Sequence, residues 1–106
     1  MSENKFKTMR HIETVRNYIN LIIKELLLRS EKHDQSKLQE PEVEIFEKYT
    51  SKLKNSTYGS EEYLKFINEM APALKHHYEN NRHHPEHFKN NIDDMNLIDL
   101  IEMLCD

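Results

Sequence analysis

The chain has 106 residues, with 15 Lys and Arg against 19 Asp and Glu, a formal net charge of −4, and seven histidines. That length suits one domain with a modest core, and the mild acidity excludes a dedicated duplex nucleic-acid surface, which needs a basic stripe. The lone cysteine, Cys105, excludes an internal disulfide framework.

With no signal-like start, that cysteine usage points to a reducing, cytoplasmic setting. The longest apolar run, Leu21–Leu28, is interrupted by Lys24 and Glu25, so no membrane partner is expected. A single Gly, three Pro and few β-branched runs predict an all-α fold. The expected architecture is one compact domain over residues 1–106, a bundle of about four to five helices with residues 1–7 frayed.

The first helix is predicted from about Thr8 to Arg29. Ile12, Val15, Ile19, Ile22 and Leu26 recur at steps of three and four and mark one apolar face. Leu21, Ile23, Leu27 and Leu28 widen it, so this helix is expected at the centre of the bundle, or at a seam between copies of the chain. His11 flanks the stripe, where a core-edge histidine is the plain alternative to a ligand.

Next comes His33-Asp34. The pair offers a nitrogen and a charged oxygen ligand from one backbone segment; the competing role is a helix cap at Asp34. Pro41 and Glu42 open a second helix to about Lys54, with Val43, Phe46, Tyr49 and Leu53 on its apolar side. The break at residues 55–60 contains the sole glycine, Gly59, and Ser60 caps a third helix that begins Glu61-Glu62. Along it Tyr63, Ile67, Met70, Leu74 and His77 fall on one stripe and His76 off it, while Pro72 kinks or breaks the helix.

Five of the seven histidines lie between His76 and His87. Pro85 disfavours helix at His84, so His83-His84-Pro85-Glu86-His87 is expected to open into a turn. A last helix begins near Asn96, with Leu97, Leu100, Ile101 and Leu104 facing the core. Asp99 stands at the capping-box position and lies opposite the apolar arc, with Glu102 and Asp106. Clustered imidazoles beside carboxylates hold divalent cations, so the turn is expected to meet His33-Asp34 and Asp99. The plain alternative is a helical bundle with a solvated, histidine-rich loop.

Taken in order, His11, His33-Asp34, His77, His83-His84 and Asp99 resemble the HD-domain superfamily of helical metal-dependent phosphohydrolases. His33-Asp34-Gln35-Ser36-Lys37 resembles its His-Asp-x-Gly-Lys run, with Ser36 in place of Gly, and Asp99-Leu100-Ile101-Glu102 resembles its Asp-x-x-Asp/Glu element. The chain also resembles, over nearly its whole length, a small family from phage and bacterial genomes that has no known activity. That likeness rests on His33–Lys37, Tyr58-Gly59-Ser60-Glu61-Glu62-Tyr63, His83–His87 and Asp99–Asp106. The chain is short for the superfamily.

The superfamily resemblance implies one cation held by His11, His33, Asp34 and Asp99, and a second that shares Asp34 and adds His77, His83 and His84. It places Lys37 and Arg82 near a phosphate, Glu86 and His87 beside ligands or substrate, and Tyr58 and Ser60 in the pocket wall. So many nitrogen ligands favour Fe, Mn, Zn or Ni over Mg alone. The implied substrate is a nucleotide or other small phosphoester in a bacterial or phage-infected cell; an iron-dependent oxygenase is a variant within the same set. An expectation of a different class is a non-catalytic module, in which metal staples the helices or the pocket sequesters a nucleotide.

Overall fold

A computed structural model describes residues 2–106, and these form an all-helical chain with no strand among the described residues. Five α-helices follow one another: α1 (Glu3–Lys32), α2 (Glu42–Lys54), α3 (Glu61–Glu69), α4 (Ala71–Asn80) and α5 (Leu97–Cys105). Short 3-10 turns occupy Gln35–Leu38, Pro85–His87 and Asn91–Asp94. The chain divides into two compact units, residues 1–32 and 33–106.

The first unit is α1, which is longer at both ends than its apolar stripe. Of residues 1–7, expected to fray, Met1 lies outside the described residues, and Ser2 closes the first turn, its Oγ accepting from the Lys5 amide at 3.1 Å and its carbonyl from the Phe6 amide at 3.0 Å. A Lys7–Glu3 ion pair of 3.2 Å lies over it. No residue of α1 is buried. Periodicity identifies an apolar face on α1 but carries no information about what covers it.

In the second unit, α2 packs against α3 and α4, and the 3-10 turn at Gln35–Leu38 packs against α2 and α4. Pro72 separates α3 from α4. Met70 closes α3 through its amide to the Phe66 and Ile67 carbonyls, and Pro72 then sits in the first turn of α4, where its missing N–H leaves no bond unmade. Ser60 caps α3 by accepting from the Tyr63 amide at 3.2 Å, and Gly59 before it supplies the positive φ of 78°. Asn96 and Asp99 form a reciprocal capping box on α5.

The interior of this unit is unusual in kind. Its buried apolar residues are Tyr49, Met70, Ala73 and Met95, whereas Ser36, Glu42, His77, Asn81, His83 and Asp99 are buried polar groups. Buried polar groups need partners, so what holds this unit together is largely a question of where those six direct their bonds.

A candidate metal centre

Asp34 follows directly on His33 with φ 54° and ψ 15°, the left-handed region that Asp and Asn tolerate better than most residues. It precedes the 3-10 turn but its side chain makes no capping bond. Instead Oδ2 faces His33 Nε2 at 3.5 Å and the Lys37 ammonium at 3.2 Å. Oδ1 points at His83 Nε2 at 3.2 Å and His77 Nε2 at 3.4 Å. The backbone twist thus spends a cap to turn a carboxylate towards imidazoles.

His77 comes from the inward stripe of α4. His83 and His84 come from the segment that Pro85 holds open, His84 being extended at φ −111° and ψ 129°. His77 Nε2 and His84 Nε2 are 2.9 Å apart. One ligand atom from each of Asp34, His77, His83 and His84 lies within 4.8 Å of the other three. Four ligands about 2.05 Å from one ion at tetrahedral angles stand about 3.3 Å apart, and the distances of 2.9, 3.2 and 3.4 Å from His77 Nε2 to His84 and from Asp34 Oδ1 to His83 and His77 fall around that value.

Unmet bonding capacity marks the same place. Asp34 Oδ1 and both ring nitrogens of His83 are buried without an aligned hydrogen-bond partner, and His83 is 1% exposed. Glu102 Oε2 is 2.8 Å from His83 Nδ1, close but off the hydrogen-bond direction. Leaving such groups unmatched is costly, and a cation between Asp34 Oδ1 and His83 Nε2 would satisfy both. The residues present fit a divalent metal.

A second group, His33, Asp34, His83 and Asp106, meets the same spacing. Within it His33 Nε2 lies 3.1 Å from Asp106 Oδ1. The two groups share Asp34 and His83. A carboxylate can bridge two ions, but an imidazole Nε2 has one lone pair, so His83 completes only one group at a time.

Behind the ligands stand two carboxylates. Glu42, fully buried, takes His77 Nδ1 on Oε1 at 2.7 Å and His76 Nδ1 on Oε2. Glu102 lies 2.7 Å from His33 Nδ1. A carboxylate on Nδ1 keeps the proton there and leaves the Nε2 lone pair facing inward, the arrangement that orients metal-bound histidines. Ser36 and Asn81 complete this layer: Asn81 Nδ2 donates to Ser36 Oγ and to the His77 carbonyl, both at 2.8 Å. Ser36 also bonds Glu42, which gives its hydroxyl a structural role.

The electrostatics favour the neutral ring at His83 and His84. Burial lowers the pKa of His83 and His84 below the usual histidine value, helped by the charge of His33 on the first and of His83 and His77 on the second. Burial also opposes charge on His33, but its bond to Glu102 and the charges of Asp34, Glu102 and Asp106 raise it overall. Asp34 resists a burial penalty through its bond to Lys37 and is held below the ordinary carboxylate range. Glu42 is likewise lowered, burial being outweighed by bonds from Ser36, His76 and His77.

The other sequence-derived candidates fall elsewhere. His11 is exposed on α1, about 30 Å of helix from Lys32, and belongs to neither ligand group. Asp99 is fully buried but outside both groups. It caps α5 with Asn96 and pairs with Arg82 through Nε at 3.0 Å and a terminal nitrogen at 3.1 Å. Where a ligand is expected at Asp99, its oxygens serve a cap and a guanidinium.

Arg82 is correspondingly engaged rather than poised for a phosphate, and its guanidinium also lies 5.0 Å from the Phe88 ring centroid. Lys37 stays half-exposed beside Asp34. Glu86 is exposed at the turn, and His87 donates from Nδ1 to the Tyr78 carbonyl at 2.7 Å, pinning the turn to α4. Tyr58 is 86% exposed.

Sequence reasoning missed Glu42 as an orienting group and Asp106 as a ligand candidate. Glu42 reads as an ordinary first-turn acid, and no spacing ties it to α4. Asp106 and Glu102 had one signal, their place with Asp99 on the polar side of α5.

Two substitutions separate these roles. Glu42→Gln should weaken metal affinity 10- to 100-fold with the helical spectrum retained, measured by titrating the metal-free protein with zinc. Arg82→Ala should lower stability by about 2 kcal/mol, discounted for the partly exposed arginine, while metal content stays unchanged. A loss of metal in that variant would place Arg82 in the centre after all.

The chain matches the model of a family of unknown function, DUF5662, over residues 1–106, and belongs to that family. No curated protein and no solved structure matches it.

Proposed function

For a chain in a family without an assigned activity, we propose from the site's own chemistry a metal-dependent phosphohydrolase acting on a nucleotide or other small phosphoester. The observation that carries the proposal is the convergence of Asp34 Oδ1 and the His83 nitrogens, buried without an aligned hydrogen bond, with His77 and His84. Asp34, His77, His83 and His84 hold the cation, with His33 and Asp106 adjoining. With a further coordination position left to water, such a cation would lower that water's pKa towards neutrality and offset phosphoester charge.

The chain's own residues do the rest. Glu42 and Glu102 hold the Nδ1 side of the rings, so the Nε2 lone pairs face the cation. Lys37, a half-exposed side chain paired with Asp34 and lying 5.8 Å from the Phe46 ring centroid, turns its charge to a phosphate oxygen.

The test is elemental analysis of untagged protein followed by hydrolysis of p-nitrophenyl phosphate and a nucleotide panel. Expected is at least one transition metal per chain, and turnover that chelation abolishes and Mn, Zn or Fe restores. Metal-free protein without turnover would overturn the proposal.

A second reading has its own support in the polar interior of residues 33–106. With four buried apolar residues, the unit gains much of its stability if the metal joins the Asp34 turn, α4 and the histidine turn. Metal-loaded protein that melts far above its chelated form, yet hydrolyses nothing in the panel, would select this structural role over the enzyme.

A further inference from the structure

The remaining feature without a role is the apolar face of α1. At 100° per residue, Met9, Ile12, Val15, Tyr18, Ile19, Ile22, Ile23 and Leu27 fall within about half the helix circumference. Each of these is between 40% and 64% exposed, and no residue of the helix is buried. Monomeric proteins seldom leave a contiguous apolar patch of this kind in water.

We propose that this face is an interface between copies of the chain, with α1 of one copy seated on a second copy through the Ile12–Leu26 stripe. Three observations favour a second copy over other occupants. The stripe Ile12, Val15, Ile19, Ile22, Leu26 keeps the 3-4-3-4 spacing with which helices interdigitate along a seam, so the face is complementary to itself.

The area reaches what a dimer needs at the upper end of its range. Full burial of one such side chain removes roughly 60–120 Å² from water on the usual transfer coefficient, so eight at half exposure offer about 240–480 Å². A standard interface takes about 800 Å² per partner, somewhat over half of it apolar, or about 450 Å². Finally, Glu13 and Glu25 stand among the basic residues of α1, and no helix is long and apolar enough to cross a membrane. A helix adsorbed to anionic lipid favours an unbroken basic polar face.

The experiment measures the mass of the full chain by light scattering across a hundredfold concentration range, for the wild type and for Ile19→Asp/Ile22→Asp. Expected is a wild-type mass at least twice that of one chain, falling to one in the variant with its helical spectrum unchanged. The wild-type melting temperature should also rise with protein concentration, a readout that does not depend on the variant folding well.

A wild type that is monomeric throughout, with concentration-independent melting, overturns the proposal, as does association that the double substitution leaves intact. Binding of the monomer to phosphatidylserine vesicles, or docking of α1 within its own chain, would be the monomer's explanation and would equally refute it. None of these outcomes depends on the metal centre or on hydrolysis.

Discussion

Asp34→Asn should strip the protein of metal. Elemental analysis should fall from at least one equivalent per chain to below a tenth, and titration of the metal-free variant should show affinity lowered by more than a hundredfold. Asparagine has nearly the volume of aspartate and also tolerates the left-handed conformation at φ 54°, so the backbone has little reason to change. What is lost is charge on Oδ1, the one oxygen aimed at both His77 and His83, and the ion pair with Lys37. Asp34 is also the carboxylate common to both ligand groups, so no neighbour replaces it. A variant that retains metal at the wild-type level would refute the site.

The same ligands give the metal a pH dependence of definite sign. Metal binding requires neutral imidazole, so protons compete with it on acidification. His83 and His84 have folded pKa values below 6.5; in the metal-free protein they favour the folded state least once pH falls below 6.5, where the unfolded chain takes up protons first. His33 acts oppositely: its folded pKa lies above 6.5, so its contribution is complete below 6.5 and disappears as pH rises through the folded value. Metal retention measured by dialysis at stepped pH should therefore be full at neutrality and decline below 6.5. Retention that improves on acidification would contradict neutral histidine ligands.

His83→Leu should change the sign of its effect with metal. In chelator the wild type buries His83 with neither nitrogen in an aligned bond, a penalty of about 1–3 kcal/mol that leucine of similar bulk removes. The variant should then melt higher than the wild type. In excess zinc the wild type gains what binding adds, about 4 kcal/mol at a thousand times Kd, and the variant loses most of it. The variant should then melt lower. Paired thermal melts, with and without EDTA, provide the check. A variant destabilised equally in both conditions would mean that His83 is a packed core residue whose nitrogens are satisfied in some other way.

Local rules read from the chain account for the helices. The apolar stripes, Ser60 before Glu61, Pro72 between α3 and α4, Pro85 after His84 and Asn96 before Asp99 each act within a few residues, where sterics and unsatisfied backbone amides dominate. The all-α class and the extended histidine turn follow from them, and so does the inward stripe that carries His77. His33-Asp34 and His83-His84 also stand out in the sequence, since adjacent ligating residues are visible without a partner.

Which carboxylate faces which imidazole was decided by the tertiary structure. Asp99 and Glu102 lie one turn apart on α5, and composition does not tell them apart; Arg82 and the Asn96 amide take Asp99, leaving Glu102 beside His33 and His83. Glu42 became the buried anchor of His76 and His77 only because α2 packs on α4. His11 shares the chemistry of the ligands but sits far along α1 from the His33 end. A metal centre depends on distances of a few ångströms between groups tens of residues apart, and sequence spacing governs distance only within a turn or two of one helix.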